Sequence, residues 1–536
     1  METGYETQRM DHLGIVAGVC EGIGLIEGID DWVGPSKRKV TVGQAVQAMV
    51  LNALGFVGRA LYLSPEFFHN KPLDLLIGEG VCAEDFNDDS LGRALDKLYE
   101  AGLTEGFAKL ASKALRVHGI EHQFVHLDST SFSLHGNYEG DEPQCIKVTQ
   151  GYSKDQHPEL KQVVVSLITS QRSAIPVWLE TLSGNSSDKK SFVPSIEAYT
   201  EQLQAGQAHP YFVADSALYT ADNLKALSQL HWISRVPETI KQAQQLLESV
   251  EPMQPLEQEG YACVEHKSDY GGIEQRWLVV YSKQAWQRQM KSFDKQLSRQ
   301  QQRASKQLQT LTQRRFACRE DAQTALAKTE KGWRYHCARV QIKELKHYGK
   351  KGRPKANDQP QSLSYQVTGS VVEDRLMIET ACKHKGKFIL ATNQVDTQAL
   401  STQTIVSVYK EQGVSVERGF RFLKDPMFFA DSLFLKRPQR LMALLMVMGL
   451  SLLIYALAER KLRQALKHQS QSIPNQLGKP TRLPTMRRIF QVFEGIDVLL
   501  IIEAGKILQR RILNLLPIHS QIIDLLGPRV QKCYFL

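Results

Sequence analysis

The spacing of apolar and polar positions changes character twice along the chain. Over residues 1–118 apolar side chains recur at helical intervals, most clearly in 41–59 and 90–115, and Asp88, Asp89 and Ser90 offer N-cap oxygens before the second run. From Gly119 onward, short runs rich in β-branched and aromatic residues take over. The segments 122–134, 160–170, 175–184, 210–218 and 231–237 predict strands, and 191–206 and 220–230 predict helices between the later ones. Several strands followed by strand–helix–strand alternation predict an α/β fold, a mixed sheet with flanking helices.

The pattern breaks again at about 238. Residues 284–346 are rich in Gln, Lys and Arg with intermittent Leu, which predicts one or two long polar helices. The segments 333–342, 362–372, 375–382 and 387–393 predict strands, and 414–424, 438–467 and 485–530 predict helices. The resulting division is a helical N-terminal domain (1–118), a first core part (119–237), a large insertion (238–395), a second core part (396–470) and a helical C-terminal tail (471–536). Leu441–Leu457 is uncharged over 17 residues, at the lower limit for a membrane span. Its charged flanks, Arg437, Arg440, Glu459, Arg460 and Lys461, and the lack of a second span predict a buried core helix.

Charge narrows the function. The chain carries 66 Lys plus Arg against 57 Asp plus Glu, a net of +9. Residues 283–355 hold 20 of these cations and 5 of the acids, leaving 46 and 52 elsewhere, a net of −6. One block supplies the whole excess. That points to a polyanion, nucleic acid first, with a solvated helical arm or a dimer contact as the alternative. Within it, KKGRPKAND (350–358) has the Gly-Arg-Pro core of a minor-groove hook centred on Arg353, although short basic loops with Gly and Pro are common. Eight cysteines without a CxxC pair, and a start lacking a secretory pattern, predict reduced thiols in the cytoplasm. No Walker A loop or G-x-S-x-G motif occurs, which argues against a nucleotide cofactor and a serine hydrolase.

Metal-assisted phosphodiester chemistry needs carboxylates that converge from separate elements, because two hard cations must share oxygen ligands and keep positions open. Asp128 lies in the strand FVHLDSTSF, Asp215 closes the strand YFVADSALY, and Glu417 lies on a helix in VSVERGFRFLKDP. Glu417, Arg421 and Lys424 at i, i+4 and i+7 share a helix face, though on spacing alone a surface salt bridge between Glu417 and Arg421 is the simpler reading. His126 and His135 flank Asp128 and read as packed or surface residues, since Mg²⁺ prefers oxygen. Asp188 in SGNSSD either forms a turn or orients a catalytic loop.

At these residues the chain resembles bacterial insertion-sequence DDE transposases with an RNase H-like core, over about 119–460. HLDSTSFSLHG (126–136), GYSKDQHPELKQ (151–162, with His157 where Arg is usual), SGNSSD (183–188), VADSALYT (213–220) and YKEQGVSVERGFRFLKDP (409–426) follow the family's motif order. The last resembles the Y-R-E-K signature of the cut-and-paste subgroup. Glu417 and Lys424 keep its six-residue gap, Tyr409 lies one position further out, and the Arg position falls on Gln412 or Gly413. Arg418 or Arg421 is left to supply that cation.

The resemblance implies an RNase H-like α/β core split by an insertion. It implies that Asp128, Asp215 and Glu417 are catalytic and hold two Mg²⁺ (or Mn²⁺) ions, and that Tyr409, Arg418, Arg421 and Lys424 contact DNA. The implied activity is cleavage and strand transfer at terminal inverted repeats, with target DNA as the second substrate. The implied setting is a homodimer in the synaptic complex, in the bacterial cytoplasm and nucleoid-associated on DNA, with no membrane and no nucleotide cofactor. A transposase-derived protein that binds DNA without cutting, and a nuclease without strand transfer, stay open as alternatives.

Overall fold

The computed structural model describes every residue except 1–2, 37, 57–60, 121, 137, 139–144, 155–156, 173, 204–207, 250, 350–358, 426–434, 505 and 536. Among the described residues, nine strands form one sheet. They are β1 (Phe124–Leu134), β2 (Lys161–Ser170), β3 (Pro176–Ser183), β4 (Tyr211–Ala214), β5 (Trp232–Arg235), β6 (Gln254–Pro255), β7 (Tyr261–Ser268), β8 (Gln275–Ser282) and β9 (Lys387–Thr392). Their order across the sheet is 3-2-1-4-5-9-8-7-6. β1, β2 and β3 form an antiparallel meander, and β4 and β5 run parallel to β1 on its other side. This is the RNase H-like arrangement. The helix α1 (Asp188–Glu201) carries the chain from β3, at the sheet's edge, across to β4, which lies on the far side of β1.

Part of the segment between the second and third acids completes this sheet. β6–β8 and β9 extend it antiparallel beyond β5. Between β8 and β9, α2 (Lys283–Thr312), the helix Arg319–Glu330 and a hairpin of His336–His347 with Ser362–Glu373 share a small core of Leu308, Leu311, Phe316, Ala322 and Val367. Residues 375–382 are not a strand but the helix Arg375–Lys383. Asp374 caps it, accepting from the Met377 N–H at 3.2 Å, and that cap outweighs the strand-like residue types.

The N-terminal region holds the helices Leu13–Ile23, Leu25–Val33, Val42–Leu54, Asp88–Ala101 and Leu103–Val117. Asn87, one residue before the expected caps, accepts from the Ser90 N–H at 2.9 Å. The tail, expected to be helical, is mixed. Asp497–Glu503 pairs with Lys506–Leu513, and Thr3–Arg9 adds a third strand from the other end of the chain. The continuous run VLLII hides the period-two burial of Val498 and Leu500, and a pairing across almost the whole chain leaves no local trace. The tail also holds a short antiparallel pairing of Ile473–Pro474 with Pro480–Thr481 and the helices Met486–Val492, Pro517–Leu526 and Pro528–Tyr534.

Two helices finish the core. α3 (Thr402–Leu423) starts at Ser401, which accepts from the Thr404 N–H at 3.2 Å. α4 (Pro438–His468) contains the long apolar run, and 94% of its apolar window is buried inside the protein. It fills the space between the sheet and the N-terminal helices. A Cβ on Gly449 would lie 2.4 Å from Leu179 Cδ1 on β3 and 3.1 Å from Phe107 Cε2. Arg440 fixes its start through two bonds of 2.7 Å to Asp96. All eight cysteines are free thiols.

Candidate active site

Strand register brings the first two acids together. Leu127 on β1 pairs in parallel with Ala214, the last residue of β4, so Asp128 and Asp215 each come one residue further along, about 5 Å apart in backbone spacing. Ala214 pairs in turn with Ser234 on β5, which puts Arg235 on the far side of Asp215. The order in one row is therefore Asp128, Asp215, Arg235.

The third acid comes from α3, which runs along β1. At one end Gln412 Nε2 lies 3.5 Å from the Leu127 carbonyl oxygen, and at the other Lys424 Nζ sits 5.7 Å above the Phe132 ring. Twelve helical residues rise about 18 Å and five strand residues about 17 Å, so the two elements stay level. Glu417, between those anchors, comes level with the Asp128–Ser129 stretch of β1. Val416, Phe420 and Leu423 are buried, while Glu417 is exposed toward the opening. One cleft of about 480 Å³ is lined by Asp128, Asp215 and Glu417 together with Tyr409, Lys410 and Arg288.

The electrostatics around Asp128 are unusual. Burial pushes its carboxyl up to about 6, opposed by Lys154 and by the Ser129 N–H (2.7 Å), with Asp215 and Asp188 adding repulsion. Burial also raises Asp215, opposed by the Ala217 N–H at 2.8 Å. Lys154 Nζ donates to the Ser129 carbonyl (2.6 Å), Ser129 Oγ (3.0 Å) and Asp188 Oδ2 (3.0 Å), and lies 3.8 Å from Asp128 Oδ1. Ser129 Oγ donates to Asp188 Oδ1. Asp188 therefore does more than shape a turn, since it ties β1 to the start of α1. Burial raises the Tyr409 hydroxyl to about 12, opposed by Arg235, so Tyr409 stays protonated.

Several expected residues lie elsewhere. Arg418 pairs with both oxygens of Glu459 on α4, which also takes Arg463 Nη1 at 2.9 Å and the Met486 N–H at 3.1 Å. Arg418 and Arg421 line a separate pocket of about 320 Å³ with Tyr455, Glu459 and Arg487, so neither supplies a cation to the acid cleft. Among the described residues Glu417 and Arg421 form no ion pair with each other. Arg353 lies outside the described residues. His126 is buried and lowered to about 4, and His135 is exposed. The sequence assigns no role to Arg235, Arg288 or Lys410, and it places Lys154 only within the 151–162 motif. For Arg235 the signal was available, because it follows an apolar strand just as Asp215 does.

Among the described residues no three His, Cys, Asp or Glu side chains stand close enough to grip one ion as they are. The donor chemistry nevertheless fits a hard divalent cation. Three carboxylates open to one cleft, and burial makes the charge on Asp128 costly until a cation offsets it.

A family described as "Transposase DDE domain" matches residues 120–454. The chain belongs to that family. It is a DDE transposase, an enzyme that acts on DNA, and enzymes of this family use divalent metal ions. Ahead of the DDE domain, residues 5–112 of the transposase match a domain of unknown function, DUF4277. No curated protein matches the chain. Among solved structures, a chain of a piggyBac transposase synaptic complex with hairpin DNA is similar over 91% of this chain and 82% of that one, at 9% identity and a TM-score of 0.37.

Proposed function

We propose that this transposase cleaves and joins DNA at the terminal inverted repeats of an insertion sequence, with Asp128, Asp215 and Glu417 as the metal-holding carboxylates. The strand register that sets Asp128 and Asp215 one residue beyond the paired Leu127 and Ala214, with Glu417 lining the same cleft, is the main support. Two Mg²⁺ or Mn²⁺ ions supply activation of an attacking oxygen and stabilisation of a leaving one. The chain's own groups do the rest. Lys154 and Asp188 hold Asp128 and Ser129 in place. The protonated Tyr409 hydroxyl donates to a phosphate oxygen, and Lys424 grips the strand further along α3. The signature's arginine position falls on Gln412, bonded toward β1, or on Gly413, and Arg235 is the cation nearest to that role.

The N-terminal domain (1–118) reads the ends, and two copies pair across them. The protein works in the bacterial cytoplasm, on the nucleoid when it holds DNA. The test is a duplex ending in the short inverted repeats that flank the protein's own reading frame. With Mg²⁺ the duplex is cut, Asp128→Ala abolishes the cut, and a target plasmid yields a joined product. Binding without cleavage by the unaltered chain would leave a DNA-holding protein. Cleavage without joining would leave a nuclease.

A further inference from the structure

α2 carries its charge along one line. Arg288, Lys291, Lys295, Arg299, Arg303 and Lys306 are spaced by 3, 4, 4, 4 and 3 residues. At about 100° per residue all six fall within roughly 60° of one direction. The buried residues Phe293, Ala304, Leu308 and Leu311 occupy the opposite side. All six cations are exposed, and the one acid on the helix, Asp294, points off the line. Among the described residues none of the six forms an ion pair with a carboxylate. Like charges one turn apart repel, so the arrangement weakens the helix unless an anion covers it.

The line has a direction and a length. Arg288 lines the cleft that holds Asp128, Asp215 and Glu417. From there to Lys306 the rise is about 27 Å, or about 8 base pairs of duplex at 3.4 Å each. Gln284, Ser292 and Gln302 share the face, so it offers hydrogen-bond donors and no apolar anchor. That chemistry suits phosphate and sugar better than a peptide, which needs buried apolar or aromatic contacts.

We infer that this line is a rail for the phosphate backbone of duplex DNA leaving the cut site. It rests on the reading of the acid cleft as the place of cutting. It is independent of base sequence, and its contribution to affinity grows as salt falls.

The test is the salt dependence of binding to a mixed-sequence duplex of about 30 base pairs, long enough to cover the roughly 8-pair rail and the cleft. The full chain is compared with the triple variant Arg299→Gln, Arg303→Gln, Lys306→Gln, which touches no residue of the cleft. The slope of log K against log salt becomes shallower by about 2.7, that is 0.9 for each lost phosphate contact. Between about 50 and 200 mM salt the unaltered chain then loses roughly 40-fold more affinity than the variant. Melting of the variant at or above the unaltered chain shows that the fold is kept.

A slope changed by less than about 0.5 overturns the rail. So does an equal change from Lys190→Gln, Lys225→Gln, Lys267→Gln, a triple remote from α2, because any three cations would then suffice. The readout needs no cleavage. A shallower slope in a chain that never cuts DNA keeps the rail and removes the proposed reaction. An unchanged slope in a chain that cuts does the reverse.

Discussion

Replacing Asp128 with Asn is expected to stabilise the metal-free protein while abolishing cleavage. Burial lifts the Asp128 carboxyl from 3.8 to about 6. The folded chain therefore holds this proton more tightly than the unfolded chain does. Below about pH 4 both states are protonated and the group is neutral in its effect. As pH rises from about 4 to 6 the unfolded chain ionises first, and the folded state loses stability until its own carboxyl ionises. At 1.36 kcal/mol for each tenfold, the full loss is about 3 kcal/mol. Asn keeps the shape of the neutral acid and can still accept from the Ser129 N–H, but it forfeits the attraction of Lys154 at 3.8 Å. The Asp128 side chain is also 23% exposed, which lets water relieve part of the penalty. A gain of about 1–3 kcal/mol at pH 8 remains, shrinking to near zero at pH 4. Urea unfolding of both proteins in chelator at about pH 4, 6 and 8 measures it. Mg²⁺ then closes the gap by stabilising only the unaltered chain. A variant no more stable than the unaltered chain at pH 8, or a difference that ignores pH, would refute the reasoning.

Three further perturbations follow from the same geometry. Lys154 pulls Asp128 below the position that burial alone would give it, so Lys154→Gln should move the acid limb of the cleavage pH profile upward; an unmoved limb removes the lysine from the site. Glu459→Gln leaves Arg418 and Arg463 short of a charge partner and should cost about 3 kcal/mol in urea unfolding, and a cost below about 1 would mean that water satisfies both arginines. Gly106→Ala puts a Cβ 2.1 Å from Trp32 Cη2, so it should shift Trp32 fluorescence and cost about 1–3 kcal/mol; an unchanged spectrum would show that the indole has room.

The strands that carry the acids were legible because their residues alternate or cluster over short windows. The expected 122–134 and 160–170 match Phe124–Leu134 and Lys161–Ser170 within two residues. The spacing of Glu417 to Lys424 singles it out in the sequence, and the structure puts it in one cleft with Asp128 and Asp215. What stayed hidden depends on partners distant in sequence. A helical wheel gives the direction of Arg418 but not the identity of its neighbour, and Glu459 lies 41 residues away on another helix. Lys154 looks like any loop lysine until β1 and α1 close around it. The strand Thr3–Arg9 is polar, and residues 4–7 and 9 are exposed, with nothing local to suggest a mate some 490 residues on. Residues 375–382 have strand-like composition, and the cap at Asp374 makes them a helix instead.

The placement of α4 bears on how this enzyme can be taken apart. Its apolar length has the sheet on one flank, through Leu179, and the N-terminal helices on another, through Phe107 and Asp96. A fragment cut near residue 119 would expose that flank to water, and a catalytic piece produced alone would clump rather than work. The two halves are thus inseparable as building blocks. Recombination that swaps one of them must bring along a matching surface for this rod.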